Sequence, residues 1–204
     1  MPTLDWIGKK AVVNHHRKVP FHVLKEEDSL SFGKKNSGNL IVEGDNLIVL
    51  KALLPYYRGK VKCIYIDPPY NTGNEGWVYN DNVNSPEIKK WLGKVVGKEM
   101  EDLSRHDKWL CMMYPRLQLL KDFLTEDGII AISIGYHELN NLVCLCNEIF
   151  SNKQISTVTV QTSGGKPSAG FTYLQEYIIL VAPREFSPNP LDFCGGISRT
   201  PFEG

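Results

Sequence analysis

The chain has 204 residues, 42% of them hydrophobic and 23% charged, and its 23 basic and 23 acidic side chains cancel. That is enough apolar material for one domain burying roughly 70% of its unfolded surface, while zero net charge excludes attraction to a polyanion through bulk electrostatics alone, so any basic surface must be local. No stretch approaches the roughly 20 apolar residues of a membrane span and no apolar leader opens the chain, so a soluble, cytoplasmic protein is expected.

Residues 1–37 mix charge, two adjacent histidines (His15, His16) and turn formers without periodicity, and read as an N-terminal arm. Leu40-Ile41-Val42 is a short apolar run ended by Gly44. Asp45 then stands where an N-cap opens a helix carrying Leu47, Leu50, Leu53 and Leu54, which predicts a strand, a turn and a helix. After Gly59, the β-branched run from Val61 to Ile66 predicts a strand that stops at Asp67, because Pro68 and Pro69 donate no ladder hydrogen bond. The long connection from Tyr70 to His106 holds Trp77, Tyr79 and Trp91, which either stack on nucleic acid or pack the connection onto the body.

From Asp107, the spacing of Leu110, Met113, Leu117, Leu120 and Leu124 predicts a helix that Pro115 kinks or delays and that Asp127-Gly128 closes. A buried strand over Ile129–Ile134, a helix with the stripe Leu139, Leu142, Val143, Cys146 and Phe150, and a strand over Ile155–Thr162 follow. A glycine-rich loop, Ser163–Gly170, leads to a last strand, Tyr177–Ala182. Strands alternating with helices predict an α/β fold with a mostly parallel sheet, and the short final connection makes the last pair antiparallel. The prolines after Pro183 mark a linker.

Cys63, Cys111, Cys144, Cys146 and Cys194 form neither a C-x-x-C pair nor a zinc spacing; reduced, mostly buried thiols and no metal are expected. His106, His137 and Cys111 show no pattern for a ligand set or a nucleophilic dyad. The short clusters Lys9-Lys10, Arg17-Lys18, Lys34-Lys35 and Lys89-Lys90 read as solvated faces.

Chemistry concentrates at Asp67-Pro68-Pro69-Tyr70. In open α/β sheets, ligands bind beyond the carboxyl ends of the strands, and two prolines stiffen the tetrapeptide. A stiff turn can aim the Asp67 carboxylate and the Pro68 carbonyl at an exocyclic amine while Tyr70 offers a stacking face. A base presenting its amine in this way must leave the duplex, at a cost of about a few kcal/mol. The plainer alternative is a strand-ending Asp followed by a rigid turn.

At these residues the chain resembles the amino-methyltransferases that modify DNA at adenine N6 or cytosine N4, whose motif is [Asp/Asn/Ser]-Pro-Pro-[Tyr/Phe/Trp]. The stretch Ile64–Gly73, preceded by Glu43-Gly44-Asp45-Asn46-Leu47, is similar above all to the modification subunits of type III restriction systems. Further similarity runs through Pro115-Arg116-Leu117, Glu126–Ile130, Glu148-Ile149-Phe150 and Glu176–Leu180. The resemblance implies a partial Rossmann-like sheet, S-adenosyl-L-methionine as cofactor, double-stranded DNA as substrate, and direct methyl transfer to adenine N6, with cytosine N4 as the alternative. A related class methylates protein glutamine and begins the motif with Asn; Asp67 argues against it. Restriction subunits and a second methyltransferase chain are the implied protein partners.

The resemblance also assigns roles. Asp67, Pro68, Pro69 and Tyr70 form the catalytic turn; Asp45, Asn46, Leu47 and Asp67 border the cofactor, with Asp45 equally readable as a helix N-cap; Tyr70, Asn71, Lys166 and Phe171 border the base. The glycine-rich loop around Lys166 reads equally as a flexible hairpin loop. The implied organisation is an arm (1–37), a catalytic region (38–183) and a linker or the opening of a target-recognition region (184–204). Two departures stand out. Gly135-Tyr136-His137-Glu138 replaces the Asp-rich turn of relatives, and no Phe-x-Gly-x-Gly cofactor loop precedes Gly204. The implied consequences are an incomplete cofactor site and a strand edge left open beside the Asp67 strand, with an inactive remnant or scaffold as the competing reading.

Overall fold

A computed structural model describes residues 3–33, 37–72, 86–97, 103–162 and 174–188. In chain order its elements are α1 (Lys9–Val12), α2 (His15–Lys18), a 3-10 turn at Asp28–Leu30, α3 (Asn46–Tyr57), β1 (Val61–Ile66), α4 (Pro86–Val95), α5 (Arg105–Phe123), β2 (Leu124–Ile134), α6 (Leu139–Ile149), β3 (Gln154–Gln161) and β4 (Gln175–Ala182).

The sheet order is β1-β2-β4-β3. β1 and β2 pair parallel, and β4 pairs antiparallel with both β2 and β3. Three strands therefore share one direction and the final strand, inserted between β2 and β3, runs against them, as expected for a mostly parallel sheet with an antiparallel last strand. Ile130, Ile132, Ile134, Ile179 and Val181 are fully buried and pack with Trp109, Leu117, Leu142 and Leu145 of α5 and α6. These side chains alternate along their strands, so they share one face of the sheet.

The opposite face is open among the described residues. Cys63 is exposed, Tyr65 is 62% exposed, and Val158 and Val160 of β3 are exposed as well. Leu40-Ile41-Val42, expected to be a strand, is not one: Ile41 is 98% exposed, and no described strand pairs with this segment. An apolar triplet becomes a strand only where a neighbouring ladder takes up its N–H and C=O groups. Among the described strands β1 stands at the edge of the sheet, and none offers Leu40–Val42 a ladder.

Two boundaries also differ from the sequence pattern. α5 starts two residues early because Ser104 and Asp107 form a capping box: Ser104 Oγ accepts the Asp107 N–H, and the Asp107 carboxylate accepts the Ser104 N–H. The helix then runs through Pro115, where the Arg116 Nη1 donates to the Met112 carbonyl at 2.7 Å. Asp127-Gly128 lies inside β2 rather than closing the helix. There a step of two residues on β1 (Val61 to Cys63) faces a step of five on β2 (Leu124 to Ile129), and Lys153 Nζ steadies the irregularity by donating to the Glu126 and Gly128 carbonyls.

Residues 4–19 do more than lead in. Trp6 and Val12 are buried in the main core and Val19 in a second cluster with Leu47, Leu54, Leu119 and Phe123. Trp6 Nε1 donates to Cys111 Sγ at 3.3 Å, and Lys9 pairs with Glu148 at 2.9 Å. Gly8 makes the approach possible: its φ is +90°, and a Cβ there would stand 2.8 Å from Cys111 Sγ. Of the cysteines, Cys111 and Cys146 are buried but Cys63 and Cys144 are exposed, so the expectation of mostly buried thiols fails; Cys194 lies outside the described residues.

Replacing Trp6 by Ala is expected to cost about 3 kcal/mol, the usual penalty for emptying an indole site, read as a lower urea midpoint. A second expectation concerns pH. Burial, reinforced by Lys18 and Arg116 around His15, by Arg17 around His16 and by Arg105 around His137, lowers all three imidazole pKa values from 6.5. The unfolded chain then binds protons that the folded chain refuses. The associated stability is complete above pH 6.5 and is lost as pH falls below it. Urea midpoints should fall between about pH 7.5 and about pH 5.5, and less steeply in His15→Gln.

Candidate active site

β1 ends at Ile66, and the two prolines that follow leave the next turn without two backbone donors. Asp67 is exposed, and no hydrogen bond or ion pair engages it or the Pro68 carbonyl among the described residues. Both acceptors stand ready at the carboxyl end of the strand.

The remainder of the turn is tied down. Trp109, fully buried on α5, donates its indole N–H to the Pro69 carbonyl at 2.7 Å. The half-buried ring of Tyr70 lies over Gly135, where a Cβ would stand 3.1 Å from Tyr70 Cδ2, and its phenol donates to Glu176 Oε2 of β4 at 3.3 Å. Burial, then the negative charges of Asp67 and Glu176, push the Tyr70 pKa well above the ordinary phenol value, so Tyr70 stays protonated across the physiological range. Gly135 thus gives the Tyr70 ring its close seat: a Cβ there would press on the ring, which would have to give by a few tenths of an ångström.

Asn71 is fully buried and has φ +57°, a conformation uncommon outside glycine but several-fold enriched in Asn. Its Nδ2 donates to the Arg105 carbonyl at 3.2 Å and to Glu138 Oε1. Glu138 is itself fully buried; Oε1 also accepts from His106 Nδ1 at 2.6 Å, and Oε2 from Asn141 Nδ2 at 2.7 Å. Arg105 Nε lies 3.4 Å from His106 Nε2 on the other side of the ring. Asn71, expected to border the base, therefore directs its side chain to the interior of the fold.

Asp45 is the N-cap of α3: Oδ1 accepts from the Leu47 N–H at 2.8 Å and the Ile48 N–H at 3.3 Å. Arg116 Nη2 lies 3.8 Å from the same oxygen, which leaves Oδ2 for an outside donor. Arg116 Nε donates to Asn46 Oδ1 at 2.6 Å, and the guanidinium lies 5.8 Å from the centre of the Trp91 ring. Burial lowers the Arg116 pKa and Asp45 opposes the shift, and the group remains a cation. Asp45 and Asn46 are exposed, whereas Leu47, expected at the cofactor, is 2% exposed in the second core cluster because it belongs to the apolar face of α3 that packs on Leu119 and Phe123 of α5.

One helix holds both parts of the site. Trp109 and Arg116 are seven residues apart on α5 and so lie on one side of it, about 10 Å apart along its axis, a separation on the scale of a nucleoside. Trp91 donates its indole N–H to His15 Nε2 at 3.2 Å, so it packs α4 onto the body. Trp77, Tyr79, Lys166 and Phe171 lie outside the described residues. Trp109 carries no local sequence signal; Arg116 and Glu138 stand out in the sequence only within Pro115-Arg116-Leu117 and Gly135-Tyr136-His137-Glu138, and His106, expected to carry no chemistry, serves here as a donor to Glu138.

Residues 61–193 match the DNA methylase family. Among curated relatives, the type III restriction-modification enzyme EcoPI Mod subunit of Escherichia phage P1 is 36% identical over 88% of this chain and 30% of its own length. The EcoP15I Mod subunit of Escherichia coli is 34% identical over 87% of this chain and 30% of its own, and the StyLTI Mod subunit of Salmonella typhimurium 38% identical over 72% of this chain and 24% of its own. The chain thus spans about a third or less of the relatives it matches. Since the matched residues include the Asp67 turn, the α5 scaffold, the β2–α6 turn and the β3–β4 pair, the chain belongs to the DNA methylase family.

Proposed function

We propose that this chain carries the catalytic turn of an S-adenosyl-L-methionine-dependent DNA methyltransferase that acts on the N6 amine of an adenine flipped from the duplex. The observation that carries the proposal is the pair of acceptors at the end of β1, the Asp67 carboxylate and the Pro68 carbonyl, unengaged among the described residues, on a turn otherwise held at Pro69, Tyr70 and Asn71. Two acceptors fixed side by side take the two N–H bonds of an exocyclic amine and turn its lone pair outward. Tyr70, kept protonated, offers its ring to the base and takes no part as a proton acceptor. After transfer the amine carries one proton too many, and Asp67 is the acceptor within reach.

The cofactor, when bound, supplies an electrophilic methyl group on a sulfonium. The residues at the start of α3 fit it chemically: Asp45 keeps Oδ2 for an amino group, Asn46 is exposed beside it, and Arg116 holds both. Lys166 and Phe171 are proposed to border the base, in the segment joining β3 to β4. That segment leaves and re-enters the sheet where the Thr162 N–H meets the Leu174 carbonyl, next to Glu176, the partner of Tyr70. The catalytic region is proposed to span 38–183, with 1–37 as its arm and 184–204 leading toward target recognition. Double-stranded DNA is the proposed substrate and, by likeness to Mod subunits, a restriction subunit or a second methyltransferase chain the proposed protein partner. Among the described residues no helix is long and apolar enough to cross a membrane.

Calorimetry on the purified chain is expected to show saturable S-adenosylmethionine binding. Asp45→Ala should weaken it about tenfold, the worth of one hydrogen bond, and lower stability by about 1 kcal/mol through loss of the N-cap. Labelled methyl transfer into duplex DNA should appear on digestion as N6-methyladenine and fall about a hundredfold or more in Asp67→Ala. Recovery as N4-methylcytosine would move the substrate to cytosine. A folded chain that neither binds the cofactor nor transfers the label overturns the proposal and favours a remnant.

A further inference from the structure

The turn between β2 and α6, residues 135–138, touches the Asp67 turn at two places. Gly135 provides the space in which the Tyr70 ring lies. Three residues later, Glu138 reaches Asn71, the residue that follows Tyr70. We propose that Glu138 is a positioning residue for methyl transfer: its buried carboxylate fixes Asn71, and through Asn71 it sets where the Pro68 carbonyl and the Tyr70 ring lie. This rests on the methyltransferase reading of the Asp67 turn.

Glu138 is not suited to a bland structural part. It has no exposed surface and is the N-cap residue of α6, a place where a carboxylate normally meets the helix N–H groups or solvent. Instead it makes no side-chain cap and collects three side-chain donors, from Asn71, His106 and Asn141. A buried carboxylate is retained only where such donors replace its lost water. Two of the three come from other parts of the fold: Asn71 from the catalytic turn, and His106 from the first turn of α5. The carboxylate therefore links the β2–α6 turn, the start of α5 and the end of the Asp67 turn at a single point.

Asn71 requires such a tie. Its backbone at φ +57° is costly for a side-chain-bearing residue, and its Oδ1 is buried without a partner. The amide nitrogen, held by Glu138 and the Arg105 carbonyl, is what keeps it in place. Two residues upstream, the Pro69 carbonyl is held by Trp109. With the prolines unable to donate, these two anchors bracket Tyr70 and define the geometry of the turn.

The indole N–H of Trp109 reports directly on that turn. In the ¹⁵N-labelled full chain, which has four tryptophans, hydrogen exchange of the Trp109 indole would be compared with that of Trp6, whose indole donates to Cys111 of the same helix. Glu138→Leu and Asn71→Gly are expected to speed Trp109 exchange about tenfold or more, the effect of loosening one buried hydrogen bond, while Trp6 exchange stays unchanged. Glu138→Gln, which keeps an acceptor for Asn71, should remain near the wild-type rate. Unchanged Trp109 exchange in the Leu and Gly variants overturns the proposal. So does equal acceleration of Trp6 and Trp109, which marks general loosening, or a Gln variant as fast as the Leu variant. If Glu138→Leu does not fold, Asn71→Gly decides, since glycine accepts the positive φ without cost. The readout requires no catalysis, so a chain that fails to methylate DNA leaves this result interpretable and the two failures separate.

Discussion

Two consecutive prolines at the end of β1 remove two backbone donors where the chemistry is placed, so the turn carrying Asp67 and Tyr70 cannot be held by a strand ladder. It has to be held through its carbonyls and by its neighbours, and much of the surrounding architecture follows from that. Trp109 must be buried on α5 to reach the Pro69 carbonyl at 2.7 Å. Gly135, without a side chain, leaves room for the Tyr70 ring to lie where Glu176 can accept its phenol. Glu138 and the start of α5 must close around Asn71. A turn fixed from three sides leaves its remaining acceptors, Asp67 and the Pro68 carbonyl, without a hydrogen-bond partner among the described residues, which is the condition for offering both to a ligand.

α5 is the element on which these requirements converge. Its N-terminal turn supplies His106 and the Arg105 carbonyl to the Glu138 cluster, its second turn supplies Trp109, and Arg116 near its middle reaches Asp45 and Asn46 at the start of α3. The same helix carries Leu117 and Leu120 into the main core and Leu119 and Phe123 into the second one. Burial on several sides explains why its hydrophobic pattern is broad rather than a narrow stripe. The segment around α1 and α2 packs on this helix too, through Trp6 and Cys111, so residues read as an arm contribute to the scaffold.

The sheet is covered on one face only among the described residues, and β1, which ends in the Asp67 turn, lies at its edge. The exposed Tyr65, bonded through its hydroxyl to Ser133 Oγ at 2.6 Å, belongs to that open face. The apolar triplet at Leu40–Val42 shows the same condition from the other side: a sequence with strand character has no ladder to join. The chain spans about 30% of the length of the EcoPI and EcoP15I Mod subunits.

The sequence by itself determined the alternation of strands and helices, the end of β1 at Asp67, the N-cap at Asp45 and the antiparallel final pair. Each rests on local physics: hydrophobic period, proline's missing donor, a carboxylate one position before a helix, a connection too short for a crossover. The Asp-Pro-Pro-Tyr turn was legible for the same reason, since its stiffness and its acceptors are properties of four adjacent residues. Only the tertiary structure decided what holds that turn. Asn71 and Glu138 are 67 positions apart and Pro69 and Trp109 are 40 apart, and no local pattern shows that a buried carboxylate on α6 or an indole on α5 will meet them. The structure likewise leaves Leu40–Val42 outside every described strand and buries the Leu47 side chain in the second core cluster, because pairing and burial depend on which neighbours arrive, and that is set by the fold as a whole.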